Sequence, residues 1–280
     1  MPSTRNAGLA IWERLYLAIA VLLAIIPIVI IVGSSFKQGR DIFTYTPVVI
    51  FDPTLDNYFN LFRRWGSFTR GLLNSFIVTL GSIALTLAVS LPAAYAMSRM
   101  PRHGVGQSSI VLLFIKMLPP LVVTVPLFPI FSTLGLDNSN LGLVLVYAAF
   151  EVTLATFILK TFIDAVPLEI EEAAAMDGCT GVNRFVRIVL PLILPGVVTV
   201  AIFVTLFSWN DYMFGLILTT SSTQTAPVVL ADMLAGIGEG TATWGDVFAA
   251  ATIQMLPVLG FTWLVQRQML SKGVGGAIKG

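Results

Sequence analysis

Three ionisable side chains, Lys116, Glu151 and Asp211, interrupt long apolar runs. Wherever such a run lies in hydrocarbon, a charge there costs several kcal/mol, so each is a candidate for work rather than packing. Lys116 and Glu151 fall on neighbouring runs, where they could neutralise one another or meet a ligand. Asp211 stands in Trp209-Asn210-Asp211-Tyr212, which joins aromatic faces to hydrogen-bonding groups. That mix can line a path for a polar solute, or it can bond one helix to another across a bundle. Gln254 is a further polar group that could face such a path, and Asn74 reads as a cap at the start of its helix. Other chemistries are missing from the chain. It has no Gly-rich phosphate loop ending in Lys-Ser or Lys-Thr, one histidine, His103, and one cysteine, Cys179. It should therefore neither bind nor cleave ATP, hold no metal, form no disulfide framework and carry no cofactor of its own. No paired catalytic constellation can be assembled, which disfavours an intramembrane enzyme.

The elements that must position these residues are set by composition. The 280 residues are 56% hydrophobic and 11% charged, with a mean hydropathy of +0.88, values beyond a soluble domain with a polar surface. A net charge of +1 gives no field for nucleic acid. Apolar runs near 11–32, 72–97, 109–131, 141–162, 194–219 and 247–265 each approach the roughly 20 residues that span hydrocarbon. They must be helical, because hydrocarbon offers no partner to a free N–H or C=O, and they do not alternate as barrel strands would. The expected fold is all-α: a polytopic membrane protein of six transmembrane helices. The first helix with its following loop is expected as one part, 1–71, and a five-helix core as the other, 72–280. The first run is too long for a secretory signal and should be retained.

Lys and Arg set the orientation. With the amino terminus inside, the inner segments hold Arg5, Arg14, Arg99, Arg102, Lys160, Arg184, Arg187, Arg267, Lys272 and Lys279, against Lys37, Arg40, Arg63, Arg64 and Arg70 outside. Both termini are therefore expected in the cytoplasm. The outer segment 33–70 departs from the rule and reads as a folded cap, with a short helix at Asp56-Asn57-Tyr58-Phe59. Residues 220–245 read as an outer loop. Pro119, Pro120, Pro126 and Pro129 should bend the third run, which should then pack inside the bundle or line a cavity.

The polar island at 163–193 is expected inside. Pro167 suits the first position of a helix, Glu169, Glu171 and Glu172 suit its positive end, and Ala173-Ala174-Ala175 has the highest helix propensity. Gly178 stops it. A second short helix should follow from about Val182, with Arg184 and Arg187 exposed, before Pro191 and Pro195 mark re-entry. Small residues on an exposed helix bury nothing unless another surface packs on them, so this helix-turn-helix elbow reads as a docking site.

Glu172, Ala173, Ala174, Gly178, Ile188, Leu190 and Pro191, in that spacing and with Asp177 before the glycine, resemble the loop that marks the permease subunits of bacterial ABC importers. Asn74-Ser75, Leu91-Pro92-Ala93-Ala94-Tyr95-Ala96, Met117-Leu118-Pro119-Pro120, Leu134-Gly135-Leu136, Ser208-Trp209-Asn210-Asp211-Tyr212 and Gly276-Ala277-Ile278-Lys279-Gly280 are similar to the carbohydrate branch, with maltose-type and oligosaccharide permeases. The resemblance implies that the elbow seats on a separate ATP-hydrolysing subunit. It implies as partners a homologous second permease, two ATP-binding subunits carrying ATP and Mg, and an extracytoplasmic solute-binding protein or lipoprotein. It also implies a sugar moved through the bacterial inner membrane, with Trp209, Asn210, Asp211, Tyr212, Gln254 and Glu151 as candidate pathway residues. Glu151 departs from the neutral residue expected at its position. Other polar solutes, such as an amino acid or a glycerol phosphate, remain open, as does an ion-coupled carrier using Glu151 and Asp211.

Overall fold

The computed structural model of the chain describes residues 4–46, 48–100 and 119–273, with side chains from residue 12 to residue 263 within those limits. Every regular element among them is helical: α1 (Thr4–Ser35), α2 (Gly39–Ile42), α3 (Asp56–Arg64), α4 (Gly66–Arg99), α5 (Pro120–Thr133), α6 (Asn140–Asp164), α7 (Leu168–Met176), α8 (Gly181–Arg184), α9 (Leu190–Leu192), α10 (Leu194–Asn210), α11 (Met213–Leu218), α12 (Ala226–Gly238) and α13 (Trp244–Gly273). A π-helical turn, Phe185–Val189, joins α8 to α9. Trp12–Ser35, Gly66–Arg99, Asn140–Asp164 and Trp244–Trp263 are each long and apolar enough to cross a membrane. The bent pair Gly181–Leu192 and Leu194–Asn210 makes a fifth. Part of the remaining run, 109–118, lies outside the described residues together with Lys116, His103 and the terminal Gly276–Gly280 motif; α5 is what is described of it.

The chain divides into two compact units, Met1–Phe68 with Leu230–Met255, and Thr69–Val229 with Leu256–Gly280. In the first, the apolar window of α1 buries none of its residues against the described part of the chain. The segment after α1 is tied down by Asn57, whose Nδ2 donates to the carbonyls of Ser35 and Lys37, both at 2.8 Å. The expected short helix is α3, and just before it the Thr54 hydroxyl accepts from the Asp56 amide at 3.1 Å. A Cβ at Gly245 would lie 2.2 Å from the Asn57 side chain, so that glycine permits the close approach of α13 to α3. Thr243 and Asp246 cap α13 reciprocally, each accepting from the other's amide. The expected outer loop 220–245 instead contains α12, whose apolar residues include the buried Met233. Its 13 residues are too few to cross a membrane, and that hid it among the loops.

The second unit is the helical core. One buried cluster, with Ala94, Leu159, Ile193 and Val200 among its members, sits beneath the elbow; another, with Val78, Tyr147 and Phe214, lies toward the other end of α6. Small residues allow the helices to approach: a Cβ at Gly196 would lie 2.7 Å from the Phe162 ring. Buried Ser75, Thr79, Ser82, Thr86 and Ser90 recur every three or four positions along α4. Helix α4 starts at Gly66, so Asn74 lies inside it and caps nothing there. Its Nδ2 donates instead to the carbonyls of Ser222 and Gln224, fastening the segment after α11. In α5 only Thr124 and Phe131 are buried, so of the two arrangements expected for the proline-rich run, packing inside or lining a cavity, its described part shows the second. One side of α5 does line a cavity of about 320 Å³ with α6, but the wall is Val123, Leu127, Phe131, Leu145, Val146, Ala149 and Phe150, with no group for a polar solute.

Candidate functional site

The elbow forms from local rules. Pro167 is the N-cap of α7, one position earlier than expected, and Glu169 and Glu171 occupy the first turn. The helix closes as a Schellman motif: the Cys179 amide donates to the Ala174 carbonyl and the Gly178 amide to the Ala175 carbonyl, both at 3.0 Å. Gly178 has φ +84°, a left-handed backbone, with open space around it, so glycine is needed there for conformation and not for clearance. Thr180 then caps α8, its hydroxyl accepting from the Asn183 amide. Pro191 cannot donate to a carbonyl of the preceding turn, and the helix widens into the π register just before it, where the Leu190 amide donates to Phe185. At Ile193 the chain bends by 75° into α10.

The expected docking positions divide by burial. Glu172, Ala173, Asp177 and Gly178 are exposed, and Met176 beside them is 89% exposed. Ala174 is buried, Leu190 packs against the core beneath, Ile188 is half-buried and Pro191 is exposed. Leu168, Ile170, Val182 and Val186 add exposed apolar area to the same segment.

Sequence reasoning missed the neighbour of Glu172. Glu171 is 2% exposed, and both its oxygens are engaged. Arg99 Nε donates to Oε1 at 2.7 Å, and the Tyr95 hydroxyl donates to Oε2 at 2.7 Å. Arg99 Nη2 also donates to the carbonyls of Ile163 and Val166 at 2.9 and 2.8 Å, at the end of α6 where a cation suits the helix dipole. Arg184 is not exposed as expected. Its Nε lies 3.7 Å from Glu171 Oε2, drawn in by a carboxylate with little water around it. Ser98 donates to Asp164 at 2.5 Å, and Lys160 pairs with Asp164 at 2.6 Å. A helical-face reading could have found Glu171: it stands one turn before the buried Ala174, on the side that faces the core.

At the other end of α10, Trp209-Asn210-Asp211-Tyr212 breaks the expected span. The helix ends at Asn210, and Asp211 is extended at φ −66°, ψ 131°. Asp211 Oδ2 accepts from the amides of Phe214 and Gly215 at 3.1 and 3.2 Å and from the Tyr147 hydroxyl at 2.8 Å. Its carboxylate thus caps α11. Trp209 is buried edge-on to Phe76, with ring centroids 4.8 Å apart. Asn210 is exposed, its Nδ2 donating to the Leu206 carbonyl, and Tyr212 is exposed. Glu151 is 2% exposed on α6, one turn beyond Tyr147. Gln254 lies in the other unit and is half-buried. Among the described residues no group of three His, Cys, Asp or Glu side chains could hold a metal.

The helical core thus carries an exposed, partly apolar elbow and, beyond it, a membrane helix bent by 75°. Residues 87–272 match the family described as binding-protein-dependent transport system inner membrane component. The chain belongs to this family and is an ABC transporter permease. It is 30% identical over 277 residues to the probable ABC transporter permease protein y4oR of Sinorhizobium fredii, covering 99% of this chain and 98% of that one. It is 34% identical over 248 residues to the trehalose transport system permease protein SugB of Mycobacterium tuberculosis, covering 88% and 87%. Its fold matches a chain of a bacterial ABC transporter that imports the polysaccharide alginate, with a TM-score of 0.78 at 20% identity, over 95% of this chain and 98% of that one.

Proposed function

We propose that the chain imports a sugar or oligosaccharide, driven by two separate ATP-hydrolysing subunits that hold ATP and Mg and seat on the α7–α9 elbow. A homologous second permease completes the membrane path, and an extracytoplasmic binding protein delivers the solute, with both termini of this chain in the cytoplasm. The observation that carries the reading is the elbow itself. Glu172, Ala173, Asp177 and Gly178 stand exposed on a helix closed by a Schellman motif, a surface that none of the described residues covers. The trehalose system named for one relative supports the sugar class.

Work done elsewhere can enter only through contact. Closing two nucleotide-bound subunits would draw the elbows together and tilt the helices behind them, opening the path outward; release would reverse the tilt. The division at 1–71 and 72–280 is proposed as the boundary between an added first helix and the moving core. Asn210 and Tyr212 are the groups around the α10 break with exposed surface to offer a hydroxylated solute, and Asp211 fixes the break that presents them. Gln254 and Glu151 complete the proposed pathway set.

The test is a complex purified with its ATPase subunits and solute receptor. Sugars should stimulate ATP hydrolysis, and Glu172→Lys should release the ATPase subunits while leaving membrane insertion intact. Full uptake by this chain with no ATPase present would sink the reading.

A further inference from the structure

Helix α7 is joined through the backbone to α6 by Ala165–Pro167 and onward to α10 by the π turn, but α4 ends some seventy residues upstream. What binds the last turn of α4 to the elbow is the buried cluster around Glu171. Arg99 Nε and the Tyr95 hydroxyl, both from α4, each lie 2.7 Å from it. The Arg99 and Glu171 side chains are 15% and 3% exposed. Arg99 also holds the end of α6 through two carbonyls, and the Tyr95 ring packs against Phe185 of the π turn at 4.9 Å. Two side chains of α4 therefore hold the carboxylate and, through their other contacts, the end of α6 and the π turn, and neither is on the exposed side of α7.

The geometry points to Glu171 as a positioning residue that makes the inner end of α4 travel with the elbow, so that force received at α7 reaches α4 directly as well as α10. This rests on the docking role proposed for the elbow, yet it concerns a different face: Glu172 meets the partner, and Glu171 meets the chain's own helices. A buried ion pair can also serve folding alone. The two roles separate in the ratio of solute moved to ATP consumed, which a purely structural contact leaves alone in every complex that still assembles.

The experiment uses the full complex in proteoliposomes with Glu171→Gln, Arg99→Gln and the double variant. Each should assemble at the parent stoichiometry with an unchanged KM for ATP, and should carry at least about fivefold less sugar per ATP. The double variant should be no worse than either single one, because both cut the same tie. In a Cys179→Ser background, spin labels at Met100→Cys and Glu169→Cys, both exposed positions, should keep a constant separation through the ATP cycle. The separation should vary once Glu171→Gln is added. An unchanged transport ratio, additive losses, a separation that varies in the parent chain, or loss of assembly in Glu171→Gln would each overturn the proposal. Glu172→Lys, run alongside, reports on docking: if it keeps its ATPase subunits and full uptake, the docking role fails. The label separation with and without Glu171→Gln still reports on the tie.

Discussion

Glu171, buried, and Asp211, half-buried, are both acids of the helical core, and they are satisfied in different ways. Glu171 takes its hydrogen bonds from side chains on α4, with a second cation from α8 nearby, so it joins elements distant in sequence. Asp211 takes two of its three from the amides three and four residues ahead, and only the Tyr147 hydroxyl comes from elsewhere. The first acid fixes how helices sit against one another, and the second fixes how one helix stops and restarts. A buried carboxylate in a membrane protein is thus not automatically a ligand site, and its partners say what it does.

The comparison can be broken by substitution. Arg99→Ala should have the largest effect: leaving Glu171 buried without its partner is expected to cost about 3–5 kcal/mol, read as lost thermal stability of the purified chain. If Arg99→Ala unfolds no earlier than the parent, the cluster is not holding helix ends. Asp211→Ala should cost about 0.5–2 kcal/mol, the range for a lost helix cap. Asp211→Asn should recover part of that, because its carbonyl oxygen can still accept from the two amides. Sugar-stimulated ATPase activity sharpens the contrast: unchanged apparent affinity in Asp211→Asn keeps the residue a cap, and a lost response makes it a ligand as well. The smallest stability effect belongs to Glu172→Gln, within about 0.5 kcal/mol because the side chain is exposed. Its transport should nevertheless fall, so that melting and uptake diverge at Glu172 and move together at Arg99.

The membrane helices were legible because hydrocarbon demands run length, and α1, α4, α6 and α13 follow from apolar content alone. The elbow was legible from helix punctuation, with a proline before, alanines within and Gly178 at the one position where a left-handed backbone is required. Three features were not. The break at Asp211 carries no Pro or Gly; it arises because a carboxylate competes with the helix for its amides, and the choice depends on Tyr147 in another helix. The spacing to Ala174 marks Glu171 as inward-facing, but its partner Arg99 arrives from far upstream, and no local pattern names that pairing. Asn74 looked like a cap only because α4 was expected to begin later than Gly66, and the extra turns place it against the segment after α11. In each case the deciding partner is remote in sequence.

The 75° corner at Ile193 has a mechanical consequence. Its two arms, Gly181–Leu192 and Leu194–Asn210, are about 18 and 25 Å long at 1.5 Å per residue, and the corner residue is fully enclosed and bridged by amide bonds on both sides. Turned about Ile193 as one rigid piece, this crank would enlarge a displacement at the end of its short arm roughly 1.4-fold at the end of its long one, by the ratio of the lengths. Under such a rotation a shift of about 3 Å at Gly181 would carry Asn210 by about 4 Å, close to the width of one side chain.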